Sequence, residues 1–260
     1  MSVIAIANQK GGVGKTTTAV TLGHGLARAG LRVLLVDLDS QGNVADSLGL
    51  PGGDDLRRLL SPEPDLRVPL EQVIVPSGRP GLDVVRSDKT TASLKQMLAG
   101  VTLREYVLAD GLEKADYDAI LLDCAPSVDL FHHAALVAAD WLLVPTRLDK
   151  LAVNGLRDVL QTLRSLERVS RCQLAGVLPT FFERVTKESH EQLGYLVRIF
   201  GRQVLPPIPQ DTQCREASRY GQTLWEYAPG ARALAGIQLN GAGKLVGGYA
   251  QVLGRVEALV

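Results

Sequence analysis

The stretch Gln9-Lys10-Gly11-Gly12-Val13-Gly14-Lys15-Thr16-Thr17 lies between an apolar run, Val3 to Ala7, and a helical pattern that begins at Thr16. Strand, glycine-rich loop and helix in that order bring backbone N–H groups and a helix N-terminus to one place, which is how a phosphate chain is held. Gly11, Gly12 and Gly14 let the main chain approach an anion without a Cβ in the way. Lys15 is then placed for the β- and γ-phosphates, and the Thr16 hydroxyl for one position on Mg²⁺. The competing reading is a glycine-rich turn with incidental lysines, and the flanking strand and helix weigh against it.

From there the chain alternates strands and helices. Thr16 to Ala29 carries apolar residues at Ala19, Val20, Leu22, Leu26 and Ala27, a helical stripe that Gly30 closes. Arg32 to Leu38 is a continuous apolar run, as expected of a parallel strand covered on both faces, and it delivers Asp37 and Asp39 at its carboxyl end, where ligands of such sheets sit. Pro51 to Pro80 reads as surface loop with short helices at Leu56 to Leu60 and Leu70 to Val73. Leu82 to Arg86, Ala119 to Leu122 (ending at Asp123), Trp141 to Pro145, Leu174 to Leu178 and Val204 to Leu205 read as strands. Ala92 to Leu98, Leu103 to Leu108, Leu130 to Ala139, Val153 to Val169, Ser189 to Phe200 and Cys214 to Tyr220 read as helical. Leu245, Val246, Tyr249, Val252, Leu253 and Val256 repeat at three and four residues and predict a C-terminal helix, about 243–258, packed on the sheet. Its polar face offers only Lys244 and Arg255 as cations, with Glu257 opposing, a poor membrane-surface anchor. The expected fold is α/β: a single domain over residues 1–260, with one doubly wound, mainly parallel sheet flanked by helices and right-handed crossovers.

A 46% hydrophobic content in 260 residues is ample for such a core. Net charge is zero, so attraction to nucleic acid must come from a local patch. Cys124, Cys172 and Cys214 show no close metal-ligand spacing, which fits a reducing cytosol. Asp140 interrupts the longest apolar candidate span, and the early strand leaves no room for a cleavable leader; a soluble cytoplasmic protein is expected. His132-His133 lies in an apolar helix without a spaced partner, and Cys124 follows Asp123; both read as core or interface rather than metal ligand or nucleophile.

The common P-loop pattern would place a glycine at Gln9, and here an additional lysine, Lys10, opens the loop. KGGVGKTT, residues 10–17, resembles the deviant Walker A motif of the ParA/MinD group of P-loop ATPases. Asp37-Leu38-Asp39-Ser40-Gln41-Gly42-Asn43 is similar to the switch I segment of the ParA family, DxDxQGN, at every named position. LLDCAPS at 121–127 resembles the Walker B and switch II run, and the similarity continues through WLLVPT at 141–146, GVLPT at 176–180, and IPQD at 208–211 followed by REA.

The resemblance implies ATP and Mg²⁺. Gly11, Gly12, Val13, Gly14, Lys15, Thr16 and Thr17 would hold the phosphates, Thr16 and Asp123 the metal with Asp37 near its shell, and Asp39 beside the metal would orient the attacking water. Lys10 would reach the γ-phosphate bound by a partner subunit, so that ATP becomes part of a two-fold homodimer contact. Pro209 and Asp211 carry over as adenine contacts, although relatives have arginine and asparagine where Gln210 and Asp211 stand, and a carboxylate accepts but does not donate. In this family the ATP dimer coats DNA without sequence preference, and a ParB-like partner at a centromere-like site triggers hydrolysis. Arg215 and Arg219, four apart on a helix, with Lys187, Arg198 and Arg202, are the candidate DNA contacts; family arginines at two further positions are replaced by Gln210 and Gln213. The function expected is a nucleoid-associated DNA-partition ATPase of the short type, with no N-terminal DNA-binding domain. The alternative is a MinD-like or other spatial regulator of division machinery or cargo. An iron–sulfur carrier of the nitrogenase iron-protein class would need a close cysteine pair, and a scaffold that holds ATP without turnover would release no phosphate.

Overall fold

The computed structural model describes residues 1–149, 152–238 and 245–260. Its core is a sheet of seven strands in the order β3-β4-β2-β5-β1-β6-β7. Ser2–Ile6 (β1), followed by helix Lys15–Arg28 (α1), Val33–Asp37 (β2) and, much later, Ala119–Asp123 (β5) form its centre, and every residue of those three strands is buried. That is the pattern of parallel strands covered on both faces, and it accounts for their unbroken Val, Leu and Ile runs. Leu82–Val85 (β4), Trp141–Arg147 (β6) and Gln173–Thr180 (β7) continue the parallel arrangement. Val75–Arg79 (β3) is antiparallel to β4 and forms one edge.

Alternation along the strands separates two cores. Val3, Ala5, Leu34, Val36, Ile120 and Leu122 face one side, while Ile4, Ile6, Val33, Leu35 and Leu121 face the other. The first side is covered by Asp55–Leu60 (α3), Thr90–Met97 (α4), Val107–Leu112 (α5), Leu130–Ala138 (α6), Ala152–Ser165 (α7) and Lys187–Phe200 (α8). The second is covered by α1, Asn43–Leu48 (α2), Gln213–Arg219 (α9), Leu224–Tyr227 (α10), Arg232–Ala235 (α11) and Tyr249–Glu257 (α12). α1 presses closely on the sheet: a Cβ at Gly23 would lie 2.8 Å from the Leu35 side chain. Leu22 on this helix is fully buried, and its truncation to Ala would cost about 2–5 kcal/mol.

The chain leaves β1 toward β2 on one side and leaves β5 toward β6 on the other. The adjacent carboxyl ends of β1 and β5 therefore mark the topological switch point, where a ligand crevice forms in open α/β sheets.

Several sequence expectations are corrected. Val75–Arg79 is a strand and not loop; Pro76 and Gly78 hide it, and an antiparallel edge tolerates both. Val204 and Leu205 run beside β7 through a single bridge from Val177 to Val204, without forming a strand. Leu245 and Val246 form the strand β9, paired with Ile237–Gln238 (β8), rather than the start of the last helix. Gly247 and Gly248, at φ 81° and 82°, break the chain between them and α12. Residues 243 and 244, including Lys244, lie outside the described residues. α12 packs on α1, which lies between it and the sheet, through buried Tyr249, Val252 and Val256. Among the described residues no helix is long and apolar enough to cross a membrane.

Candidate nucleotide site

The loop after β1 is held from both sides. Asn8, fully buried, donates from Nδ2 to the Pro145 carbonyl (2.7 Å) and accepts the Lys10 amide on Oδ1 (2.9 Å). Thr180 Oγ1, at the end of β7, donates to the carbonyl of buried Val13 (2.9 Å). Gly14, at φ 89°, caps α1 in a left-handed conformation that a side chain would strain. A Cβ at Gly11 or Gly12 would meet nothing within 4 Å, so the outer rim of the loop is open.

Three acids and a lysine converge below the loop. Register pairs Ile6 with Asp123 and Asp37 with Asp123, which puts both carboxylates at neighbouring strand ends. Asp123 Oδ2 accepts the Thr16 hydroxyl at 2.6 Å, whereas its buried Oδ1 has no partner. Burial pushes the Asp123 carboxyl up to about 7, against the Thr16 hydrogen bond and the Lys15 charge, which both pull it down. Lys15 is buried, donates to the Lys10 carbonyl (3.2 Å), and has its pKa lowered by desolvation while Asp123 and Asp39 oppose that shift. Asp37 is fully buried and accepts the amides of Asp39 (2.9 Å) and Val44 (3.0 Å); burial, then the Asp123 charge, raises its pKa well above the usual carboxylate range. Asp39 is half-buried, its Oδ1 accepting the Gln41 amide (3.0 Å).

An unpaired buried carboxylate oxygen beside a hydroxyl is the donor set a hard cation takes. Among the described residues no three His, Cys, Asp or Glu side chains form a metal cage. Mg²⁺ suits such a site, because it is held by few protein oxygens and completes its shell with water and phosphate.

Beside the loop opens a cleft of about 280 Å³ lined by Thr17, Phe181, Pro209, Gln210, Arg215 and Tyr249 among others. Pro209 is buried there. Asp211 also borders it, but its oxygens accept the Gln213 (3.1 Å) and Ala233 (3.2 Å) amides. Phe181 was missed by the sequence reading. It is one of only two non-glycine residues with positive φ (55°) among the described residues, and the Arg147 guanidinium sits 4.8 Å from its ring centre. Such strain gathers at functional sites, and no local sequence signal announces it.

Lys10 turns back on its own chain, its Nζ 2.6 Å from Asp149 Oδ1, and Asp149 also lies 3.3 Å from Arg147 Nε. The five candidate DNA contacts are all exposed, but they do not share one face. α8, with Lys187 and Arg198 and with Arg202 just beyond it, packs on one core through Leu196, and α9, with Arg215 and Arg219, packs on the opposite one through Ala217. Lys187 is paired with Glu191 at 3.4 Å, and Arg215 borders the nucleotide cleft. His132 is buried with neither ring nitrogen bonded, its pKa pushed down to about 4 by desolvation, and Cys124 is a buried free thiol.

The chain matches the model of the AAA domain family over residues 1–175. It is 37% identical over 238 residues to the chromosome partitioning protein ParA of Caulobacter vibrioides, with 87% of each chain covered. It is similar to the solved structure of apo McdA from Cyanothece, with a TM-score of 0.80 and 26% identity over 88% of this chain and 94% of that one. A cobyrinic acid a,c-diamide synthase from Mycobacterium smegmatis, solved with an ATP analog and magnesium, is 34% identical with a TM-score of 0.73, over 85% of this chain and 91% of that chain.

Proposed function

Because the chain belongs to the AAA-domain family of P-loop ATPases that includes ParA, we propose that it is a DNA-partition ATPase whose ATP-bound form is a homodimer. The observation that carries this is the orphaned Asp123 oxygen beside Thr16 and Lys15, under a glycine loop whose rim is open where a second subunit would approach. Backbone amides of Gly11 to Thr17 and the Lys15 ammonium hold the triphosphate. Thr16 and Asp123 hold Mg²⁺, with Asp37 bracing the switch segment behind it through the Asp39 and Val44 amides. Bound there, the metal supplies charge neutralisation on the phosphates.

Asp39 orients a water on the γ-phosphorus. The new P–O bond forms as the bond to the β-phosphate oxygen breaks, ADP departs, and the proton from water ends on phosphate or the Asp39 carboxylate. Positioning matters more than basicity in such transfers. Pro209 borders the adenine. Asp211 acts on the base only indirectly, by fixing the loop through the Gln213 and Ala233 amides.

Lys10 leaves Asp149 and reaches the partner's γ-phosphate, so nucleotide binding and pairing become one equilibrium, and hydrolysis loosens the pair. The dimer binds DNA non-specifically through phosphate contacts, with Arg219 and Arg215 on one face and Lys187, Arg198 and Arg202 on the other, and a ParB-like protein stimulates turnover. Light scattering in a non-hydrolysable ATP analogue and Mg²⁺ tests this: the mass doubles, and single subunits alone would overturn the reading. Co-sedimentation with DNA and with anionic liposomes separates it from a MinD-like regulator, which would pellet with lipid.

A further inference from the structure

Arg79, on the edge strand β3, joins two elements that flank the nucleotide site, besides donating from Nη1 to the Ser77 carbonyl of its own strand (3.0 Å). Nη1 donates to the Leu48 carbonyl at the end of α2 (3.1 Å), and Nη2 donates to the Gly221 carbonyl just after α9 (2.8 Å). The same group is clamped by Glu226, whose Oε2 also accepts the Thr223 amide that starts α10. The Arg79 side chain is only 10% exposed. A planar fork with fixed donor directions can tie two carbonyls at a set separation, which lysine cannot do.

The two elements it joins are otherwise interlocked. Ser47 Oγ on α2 lies 3.0 Å from Ser218 Oγ on α9. Gly49 and Gly221 meet backbone to backbone, so closely that a Cβ at Gly221 would lie 2.5 Å from the Gly49 Cα. A cavity of about 20 Å³ lined by Thr17, Thr21, Ser47, Ser218, Gln222 and Thr223 sits at the junction, enough for one water among hydroxyls. α2 is only six residues long, Asn43–Leu48, and is capped by Gly42, whose amide donates to the Asp39 carbonyl (3.0 Å), while the Val44 amide donates to Asp37. A helix of that length spans about 9 Å and links the Asp37–Asp39 segment to Leu48.

We propose that Arg79 is a positioning residue that couples the Asp37–Asp39 segment to helix α9, so that the nucleotide state is read out as the pose of Arg215 and Arg219 on α9. The proposal deepens the partition reading above and rests on it only for what α9 touches. Coupling of this kind needs an element with two arrangements that both sites bias, and α2, set off by left-handed Gly42 (φ 69°) and Gly49 (φ 71°), would be that element.

Hydrogen exchange on the full-length chain tests the coupling without assuming DNA. Because α9 borders the cleft, the comparison is between ADP and a non-hydrolysable ATP analogue, each with Mg²⁺, in which base contacts are common to both states. In the wild type the exchange changes in both α2 and α9. In Arg79→Gln the α2 change persists and most of the α9 change is lost. Arg79→Lys, which keeps a cation beside Glu226 but cannot span both carbonyls, behaves like Arg79→Gln, whereas Glu226→Gln, which leaves both carbonyl bonds, behaves like wild type. An α9 that responds fully in both Arg79 variants, or that does not respond in wild type with nucleotide bound, overturns the proposal. In a parallel DNA-binding measurement the wild type prefers DNA in the analogue over ADP by roughly tenfold or more, and the Arg79 variants by less than about threefold, with little change in nucleotide affinity. A wild type that ignores DNA in both states refutes the partition reading and leaves the exchange result to judge the coupling.

Discussion

Asp123 is held in the folded chain at a cost that a bound cation would offset, and Asp123→Asn exposes that cost. Burial raises the carboxyl from its ordinary 3.8 to about 7. Below pH 3.8 both folded and unfolded chains carry the proton, and the residue is neutral to stability. Between 3.8 and 7 the unfolded chain releases the proton and the folded one keeps it, so the folded state loses stability progressively as pH rises, and the loss is complete above 7. At about 1.4 kcal/mol per pH unit, the full cost is about 4 kcal/mol at pH 8 and about half that at pH 5.5. The attraction of Lys15 is already inside this figure, because it is one of the causes that hold the value down. Asn accepts the Thr16 hydroxyl as the carboxylate does, but turns an amide toward the place of the orphan oxygen, for about 1–3 kcal/mol in the other direction. Asp37, repelled by Asp123, is relieved in the variant, which adds to the gain. The decisive quantity is therefore the slope: without nucleotide, the advantage of Asp123→Asn over wild type grows by about 2 kcal/mol between pH 5.5 and pH 8, or roughly 4–8 °C in Tm. Paired thermal melts at the two pH values measure it, and the variant should release no phosphate from Mg·ATP. A difference in Tm that stays flat or shrinks with pH would refute the electrostatic reading of the site.

The remaining predictions concern the loop and the surface. Lys15→Ala should weaken ATP binding itself, whereas Lys10→Ala should bind ATP in equilibrium dialysis yet remain a single subunit in the analogue and fail to hydrolyse it; normal dimer mass in the Lys10 variant would end the shared-site idea. Asp149→Asn removes the charge that holds Lys10 in its own subunit, and because a two-fold dimer releases two such partly exposed pairs, each worth about 0.2–1 kcal/mol, dimerisation becomes roughly twofold to thirtyfold easier, read by light scattering against analogue concentration. Gly11→Val, with open space around its Cβ in the single chain, should leave the melting temperature and ATP affinity nearly unchanged and abolish the dimer. Arg219→Ala should lower DNA affinity equally for all sequences and flatten its dependence on salt, as measured by anisotropy at several ionic strengths.

The central sheet was legible because strands buried on both faces have no polar side to confuse the pattern: Val33–Asp37 and Ala119–Asp123 announce themselves by continuous apolar runs ending in an acid. The glycine loop was equally plain. What escaped was structure made by distant partners. Val75–Arg79 is a strand because β4 pairs with it, and nothing local in a segment with Pro76 and Gly78 says so. Leu245 and Val246 carry a helix-like spacing, yet two glycines at positive φ and pairing with Ile237 and Gln238 decide otherwise. The basic residues were legible as charges but not as a surface, since only the placement of α8 and α9 on opposite cores shows that they are divided. Arg147 and Phe181 meet beside the loop from the ends of two strands, a proximity that spacing cannot reveal.

The Tyr249 hydroxyl lies 3.0 Å from the Thr18 hydroxyl, one turn into the helix that follows the glycine loop, and Tyr249 lines the same cleft as Gly14. Segments 231 residues apart thus wall one chamber. No short stretch of chain holds that chamber by itself, so whatever fills it stabilises the fold as a whole and not the glycine loop alone.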